Sequence, residues 1–330
     1  MKKLAALVLS LALASSLLAG CGSKPSEASS APAASSSAAS VSEAASSESA
    51  SSDAGSEASD VVATAAMSYF ENFDKPKIMK SVSDFFAAID AGDDMFVLDV
   101  RQPDAYAEGH IKGAVNMPFG PAVAEGLSLI PDDKQVYVYC YTGQTASQVT
   151  ALLNVAGKFA ANVQLGFDNG ISKAEGYEKY IDKETVSAPT ETYEVDPAIQ
   201  EAITKYFADV EAAKGTAFAS FNFKPASLKE VLDAEDDSYF VYSIRSAEDY
   251  AKGHIPTAVN NPFGQGMQTK FSELPKDKTI IVQCYTGQTS SQTTAILRLL
   301  GYNAYSLHGG MGSAESGAGW LGAGYEVVTD

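Results

Sequence analysis

A cysteine followed by a short polar loop occurs twice in this sequence, each time directly after a largely apolar run. The six residues that begin at Cys140 return unchanged at Cys284. Such runs suit a strand buried on both faces of a parallel sheet, and an amphipathic helical pattern follows each loop. A thiol at a strand-to-helix turn faces free backbone N–H groups and the positive end of the helix dipole. This setting favours a thiolate and predicts nucleophilic chemistry at both cysteines.

The residues between each cysteine and its helix are small or polar and carry no charge. Their hydroxyl, amide and backbone N–H groups can hydrogen-bond an anionic intermediate on sulfur. We therefore predict two substrate-binding loops, formed by Tyr141, Thr142, Gly143, Gln144 and Thr145 in the first copy and by Tyr285, Thr286, Gly287, Gln288 and Thr289 in the second.

The repetition extends beyond the loops. Both the cysteines and the histidines of two Gly-His-Ile segments, His110 and His254, are separated by 144 positions. This constant spacing indicates duplication of a whole domain. Apolar strand patterns alternate with helical patterns in each copy, which predicts an α/β fold with a parallel sheet.

The cysteine loop and the Gly-His-Ile segment together resemble the signature of rhodanese-type sulfurtransferases. The resemblance covers most of the chain after residue 75. It implies two tandem rhodanese-like domains, each a mainly parallel sheet flanked by helices, at residues 61–188 and 189–330. It also implies an enzyme whose catalytic cysteines take sulfane sulfur from a persulfide, polysulfide or thiosulfate donor. The sulfur then passes as a cysteine persulfide to a thiol or cyanide acceptor.

Three residues outside the loops are candidates for supporting the site. Asp99 and Arg101 follow a predicted strand, and we expect them to pair and brace the first loop, with direct contact between the arginine and a ligand as the alternative. The second copy keeps Arg245 but has Ser243 in the place of the aspartate. The two histidines of the Gly-His-Ile segments are expected to serve the turn, with a catalytic-base role as the alternative.

One departure from the family pattern concerns charge. Many rhodanese loops carry arginine directly after the cysteine, whereas Tyr141 and Tyr285 stand there in this chain. The formal net charge is -18, so a dianion such as thiosulfate is poorly attracted and less charged persulfides or polysulfides are favoured. Nucleic acid is not expected as a partner, because the sequence has no basic patch. We expect no metal site and no cofactor, because there are only three histidines and no clustered ligands.

Two other interpretations stay open. The protein could be a surface-anchored binding or persulfide-sensing module with little turnover. The two cysteines could also form a disulfide, although each is expected to face the end of its own sheet.

The N-terminal region predicts export and anchoring. Residues 1–20 have a basic start and a short apolar run, as in a signal peptide, and they end before Cys21 in a pattern that resembles a bacterial lipoprotein signal. Residues 21–60 consist mainly of serine, alanine and glutamate, which predicts a disordered, flexible linker. We therefore expect a protein outside the cytoplasm, held to the membrane by a lipid on Cys21 alone, with a small sulfur donor and a thiol acceptor as partners.

An amphipathic helix is predicted ahead of each domain. Apolar residues recur at helical spacing in 62–73 and again in 199–210. We expect each helix to pack on its own domain; a docking surface for a partner is the alternative.

Overall fold

The computed structural model describes residues 48–71 and 79–329. The predicted signal peptide, Cys21 and the greater part of the predicted linker lie outside the described residues. None of the helices in the described ranges combines the length and apolar character that crossing a bilayer requires.

Short strands and helices alternate through both repeats. The strands are β1 (Met79–Lys80), β2 (Met95–Asp99), β3 (His110–Ile111), β4 (Val115–Asn116), β5 (Gln135–Tyr139), β6 (Phe159–Val163), β7 (Ile181–Asp182), β8 (Asn222–Phe223), β9 (Tyr239–Ser243), β10 (Val259–Asn260), β11 (Thr279–Gln283) and β12 (Ala304–Leu307). The α-helices are α1 (Glu48–Glu71), α2 (Val82–Ala91), α3 (Pro103–Glu108), α4 (Pro121–Glu125), α5 (Gln144–Val155), α6 (Gly166–Asn169), α7 (Pro197–Ala212), α8 (Pro225–Asp233), α9 (Ala247–Lys252), α10 (Gln288–Leu299) and α11 (Gly319–Gly322). Short 3-10 helices occur at Leu127–Leu129, Ile171–Lys173, Tyr177–Tyr180, Ala219–Phe221 and Met267–Glu273.

Each repeat forms a five-stranded parallel sheet, which confirms the predicted fold class. The strand order is β1-β6-β5-β2-β4 in the first repeat and β10-β9-β11-β12-β8 in the second, and the paired strands in both sheets run parallel. Strands β3 and β7 form a separate antiparallel pair. The strand that leads to the cysteine, β5 or β11, is the middle strand of its sheet. A middle strand is covered on both faces, and this explains its nearly continuous apolar sequence.

Helix α1 begins inside the segment predicted to be a flexible linker. The linker prediction ends at residue 60, whereas residues 48–60 are helical, so the prediction is wrong for this last part. Alanine and glutamate are strong helix formers. The C-terminal half of α1 is fixed by buried Val62, Ala66, Tyr69 and Phe70, and extending an existing helix costs far less than nucleating one.

The two amphipathic helices reach across to the opposite repeat. Phe70 of α1 packs edge-on against Phe263 and Phe271 of the second repeat, with ring centroids 5.7 and 5.6 Å apart. In return, Phe207 of α7 packs edge-on against Phe119 of the first repeat, at 5.5 Å. The expectation that each helix packs on its own domain is therefore wrong for these aromatic contacts. Periodicity identifies the apolar face of a helix but not the surface that covers it.

One hydrophobic core runs through both repeats. It contains the inner faces of the two sheets together with α1, α5, α7 and α10, whereas smaller clusters lie on the outer face of each sheet. The helices that follow the two cysteines, α5 and α10, pack against each other in the middle of this core. Nearly every side chain of these helices is buried, including the polar ones. The repeats therefore share an interface formed by the helices that carry the cysteine loops.

Candidate active site at the two strand-to-helix turns

Both cysteines lie at the carboxyl end of the middle strand, as predicted. Cys140 follows β5 and Cys284 follows β11. Each Sγ accepts a hydrogen bond from a loop N–H, of Gly143 or Gly287, over 3.1 Å. Both thiols are free, and only 2% and 1% of the residue surface is exposed. Each sulfur therefore lies at the N-terminal end of a twelve-residue helix, where backbone donors stabilise a negative charge.

The loop glycines are required by a close approach between the repeats. Gly143 and Gly287 have φ of 92° and 84°, in the left-handed region. A Cβ on Gly143 would lie 2.5 Å from Oε1 of Gln288, and a Cβ on Gly287 would lie 2.5 Å from Nε2 of Gln144. Each cysteine loop is thus in contact with the glutamine of the other loop.

Each loop glutamine forms hydrogen bonds with residues of the opposite repeat. Gln288 Oε1 accepts from the backbone N–H of Leu165, over 2.9 Å, and from Asn162 Nδ2, over 3.2 Å. Gln144 Oε1 accepts from the backbone N–H of Gly309, over 3.0 Å, and its Nε2 donates to Asn222 Oδ1, over 2.9 Å. The predicted loop residues Gln144 and Gln288 therefore connect each cysteine loop to the segment that follows β12 or β6 of the opposite repeat.

The segments after β6 and β12 brace the backbone of the cysteine loops. Phe167 N–H donates to the Cys140 carbonyl and Met311 N–H donates to the Cys284 carbonyl, each over 2.7 Å. The preceding Gly310 has φ of 60°, and a Cβ there would lie 2.6 Å from the Cys284 carbonyl oxygen. The cysteine backbone is thus fixed by hydrogen bonds as well as by its strand.

The tyrosines that stand in the place of the family arginine are partly exposed and anchored through their hydroxyls. Tyr141 Oη accepts from the Gln102 N–H over 3.1 Å. Tyr285 Oη accepts from the Ser246 N–H over 3.1 Å and donates to Asp249 over 2.7 Å. This last contact is the first cause that lowers the pKa of Asp249, to about 2, followed by Lys252 and Ser246. The loop presents aromatic rings rather than cations beside the sulfur.

The supporting arginines differ between the repeats. Arg101 Nε lies 3.1 Å from both oxygens of Asp99, and Nη2 lies 2.7 Å from Oδ2. Burial opposes the charge of Arg101, but Asp99 outweighs it and the pKa of Arg101 is raised. The predicted pairing is therefore present. In the second repeat Ser243 stands in the place of Asp99, and burial lowers the pKa of Arg245, offset only partly by Tyr285, Asp249 and Cys284.

The histidines of the Gly-His-Ile segments have structural contacts. The His110 ring stacks on Tyr106 at 3.6 Å, with Nδ1 2.8 Å from the Tyr106 carbonyl oxygen and Nε2 3.2 Å from that of Glu184. His254 stacks on Tyr250 at 3.8 Å, and its Nδ1 lies 3.1 Å from the Tyr250 carbonyl oxygen. These contacts agree with the predicted role in the turn.

Two cavities adjoin the sites, and each is lined by both repeats. One of about 310 Å³ contains Cys140, Thr142 and Thr145 beside Lys224 and His308 of the second repeat. The other, of about 730 Å³, is lined by the residues Tyr285, Thr286, Arg245, Asp249 and His308 of the second repeat and by Thr142, Gln144, Leu165 and Asn169 of the first.

Lys224 and His308 are site residues that the sequence analysis did not identify. His308 lines both cavities; partial burial of its ring, and then Lys224, lower its pKa. Their only sequence signal is the position of His308 directly after β12, at the carboxyl end of the sheet.

Two serines form a hydroxyl network beside the second cysteine that the described residues of the first site do not repeat. The Cys284 thiol donates to Ser290 Oγ over 3.3 Å, and Ser290 lies 2.8 Å from Ser306. Ala146 occupies the position equivalent to Ser290.

Thr289, the last predicted loop residue, lies in the first turn of α10, where its carbonyl accepts a hydrogen bond from Thr293 Oγ1 over 3.0 Å.

Similarities to known proteins agree with this geometry. The tRNA sulfurtransferase of Desulfurococcus amylolyticus is 31% identical over 88 residues, which cover 27% of this chain but 17% of that protein. The Bacillus subtilis protein YtwF is 33% identical over 86 residues, covering 26% of this chain and 82% of its own length. Thiosulfate sulfurtransferase PspE of Escherichia coli is 33% identical over 61 residues, covering 18% of this chain and 59% of that protein. The chain therefore spans less than a fifth of the archaeal relative and most of YtwF.

The rhodanese-like domain matches this sequence twice, at residues 81–183 and 224–315. Both matches contain a cysteine at the strand-to-helix turn. The chain belongs to the rhodanese-like family and carries two copies of its domain.

Proposed function

We propose that this protein is a sulfurtransferase that carries sulfane sulfur as a persulfide on Cys140 and Cys284. The observation that carries the proposal is the position of each Sγ, which accepts a loop N–H over 3.1 Å at the start of a helix. These backbone N–H groups can stabilise an anionic sulfur intermediate. The names of the sulfurtransferases that this chain resembles support the same reaction class.

The reaction needs no external oxidant. The cysteine thiolate attacks the outer sulfur of a donor RS–SH, the donor S–S bond breaks, and RS⁻ leaves with the electron pair. The enzyme then holds Cys–S–SH. An acceptor thiolate attacks the outer sulfur, a new S–S bond forms, and the cysteine thiolate is released.

Singly charged persulfides and polysulfides are the proposed donors, ahead of thiosulfate. The loops place Tyr141 and Tyr285 beside the sulfur where a cation would offset the second charge of thiosulfate. The formal net charge of -18 opposes the approach of a dianion. Thiols and cyanide are the proposed acceptors.

The near-complete burial of both cysteines favours a second candidate, a persulfide-sensing module with little turnover. Multiple-turnover kinetics with a polysulfide donor and cyanide separate the two functions. The enzyme produces thiocyanate far in excess of protein, whereas a sensor stops at one equivalent for each cysteine. If the Cys140→Ser, Cys284→Ser double variant no longer produces thiocyanate in excess of protein, the turnover is assigned to these two thiols.

We further propose that the protein is exported and anchored by a lipid on Cys21. The proposal rests on the basic start, the short apolar run and the position of Cys21 in the sequence. Expression with labelled fatty acid should label the wild type but not Cys21→Ala. Equal labelling of both, or recovery of the wild type from the cytoplasm, contradicts the proposal.

A further inference from the structure

The second repeat contains a buried arginine without the carboxylate that its counterpart has. Ser243 occupies the position of Asp99, and its buried Oγ has no hydrogen-bond partner among the described residues. Arg245 Nη2 donates to the Gly253 carbonyl, which is the only hydrogen bond of the guanidinium within those residues. Its buried Nε is equivalent to the atom that contacts Asp99 in the first repeat, and it has no hydrogen-bond partner in the described part of the chain.

Arg245 lines the larger of the two cavities, next to the loop that follows Cys284. Arg245 is 6% exposed and lines the cavity of about 730 Å³ together with Tyr285 and Thr286, the two residues that follow the cysteine. Its Cζ lies 5.9 Å from the centroid of the Tyr285 ring. A positive charge without a carboxylate partner thus adjoins the second cysteine loop.

The one carboxylate identified in that cavity has other partners. Asp249 accepts from the Tyr285 hydroxyl over 2.7 Å, from Ser246 Oγ over 3.0 Å and from Lys252 Nζ over 3.1 Å. It forms no ion pair with Arg245 within the described residues. Arg245 therefore lines this cavity without an ion-pair partner among the described residues.

We propose that Arg245 binds the carboxylate of an organic persulfide donor and delivers its sulfane sulfur to Cys284. This inference rests on the sulfurtransferase function proposed above and specifies its donor at one site. A guanidinium presents a planar fork of donors that matches a carboxylate. Because it is largely desolvated, its attraction for an anion is stronger than that of an exposed cation.

No equivalent unpaired guanidinium is found at the first site within residues 48–71 and 79–329. Asp99 already neutralises Arg101. Lys224 lines the Cys140 cavity, but it is exposed, so solvent and salt screen its charge. The two cysteines are therefore expected to differ in donor preference.

A matched pair of donors tests this difference. Mercaptopropionate persulfide and mercaptoethanol persulfide have the same reactive S–S bond, but only the first carries a carboxylate. The rate of persulfide formation is measured by rapid-quench mass spectrometry at Cys284 in Cys140→Ser protein and at Cys140 in Cys284→Ser protein. Cys284 should react about tenfold faster with the carboxylate donor, the effect of one charge-assisted hydrogen bond, and Cys140 should not discriminate.

Two substitutions at one position then test the role of Arg245. Ser243→Asp supplies the missing carboxylate and should abolish the preference at Cys284, whereas Ser243→Asn has a similar volume without the charge and should keep it. Thermal melts monitor folding, and the comparison of the two wild-type sites does not depend on either variant. Equal rates with both donors at Cys284 overturn the inference and leave the sulfurtransferase function standing. If neither donor transfers sulfur to Cys284, both this inference and the proposed sulfurtransferase function are contradicted.

Discussion

Substitution of one loop glycine should disturb both repeats. In Gly143→Ala, the new Cβ would lie 2.5 Å from Gln288 Oε1. The end of a glutamine side chain moves easily, so the clash itself costs little. Moving it, however, breaks the hydrogen bonds from Leu165 N–H and Asn162. Perturbation of the first loop is thus transmitted to the helix that follows Cys284.

The size of the effect can be bounded with a control glycine. Gly157 has φ of 79°, and a Cβ there meets nothing within 4 Å, so Gly157→Ala measures the backbone strain alone, about 1–2 kcal/mol. Gly143→Ala adds about 1–3 kcal/mol for a buried donor left without its acceptor. We therefore expect a loss of unfolding free energy of roughly 2–5 kcal/mol.

Urea titrations of the single and double variants provide the assay. In a Gln288→Ala background the contact is already absent, and Gly143→Ala should then cost no more than Gly157→Ala. Equal losses for Gly143→Ala and Gly157→Ala in the wild-type background would refute the cross-repeat contact as the reason for this glycine.

Three further predictions concern the ion pair, the loop charge and the first helix. Asp99→Ser leaves Arg101 buried and unpaired beside Phe167, 3.9 Å from its centroid, and should cost about 3–5 kcal/mol in unfolding free energy; Ser243→Ala should change it little, and a small effect of Asp99→Ser contradicts the pairing. Tyr141→Arg with Tyr285→Arg should raise kcat/KM for thiosulfate by about tenfold, with a gain that shrinks in high salt. An equal gain for a singly charged persulfide contradicts the charge argument. Phe70→Ala should lower the free energy of unfolding by about 3–5 kcal/mol. The control Val61→Ala, at a position that is 40% exposed on the same helix, should lower it by less than about 0.5 kcal/mol. Similar losses for the two variants would show that the contacts of α1 with the second repeat contribute little.

Local sequence patterns predicted the parts of the fold that are determined locally. The apolar run, the cysteine loop and the amphipathic helix appear in each repeat as β5 to α5 and as β11 to α10. The parallel sheets follow because a middle strand must be apolar on both faces.

The contact between α5 and α10 could not be predicted, because polar side chains form much of their buried surface. Gln144, Gln148, Gln288 and Gln292 are 4% exposed or less, whereas glutamine is mostly a surface residue. The available signal was the absence of charge. Helix α5 has no Asp, Glu, Lys or Arg, and α10 has only Arg298. A solvent-facing helix normally carries such residues, so an uncharged polar face indicates a buried one.

The two cavities lined by both repeats result from that contact, and they could not be predicted from the sequence either. Lys224 and His308 reach the first cysteine site only because α5 and α10 pack together. The difference between Asp99 and Ser243 was visible in the sequence, but its consequence depends on the burial of Arg245. The sequence shows that serine replaces the aspartate, but only the packing shows that the neighbouring arginine is buried.

Intact-protein mass spectrometry after exposure to a polysulfide tests the central claim most directly. Wild-type protein should gain two sulfur atoms, the Cys140→Ser and Cys284→Ser variants one each, and the double variant none. Release of the added sulfur to a thiol acceptor should restore the original mass. Wild-type protein that gains no sulfur, or a double variant that gains as much as the wild type, would contradict sulfur transfer through these two cysteines.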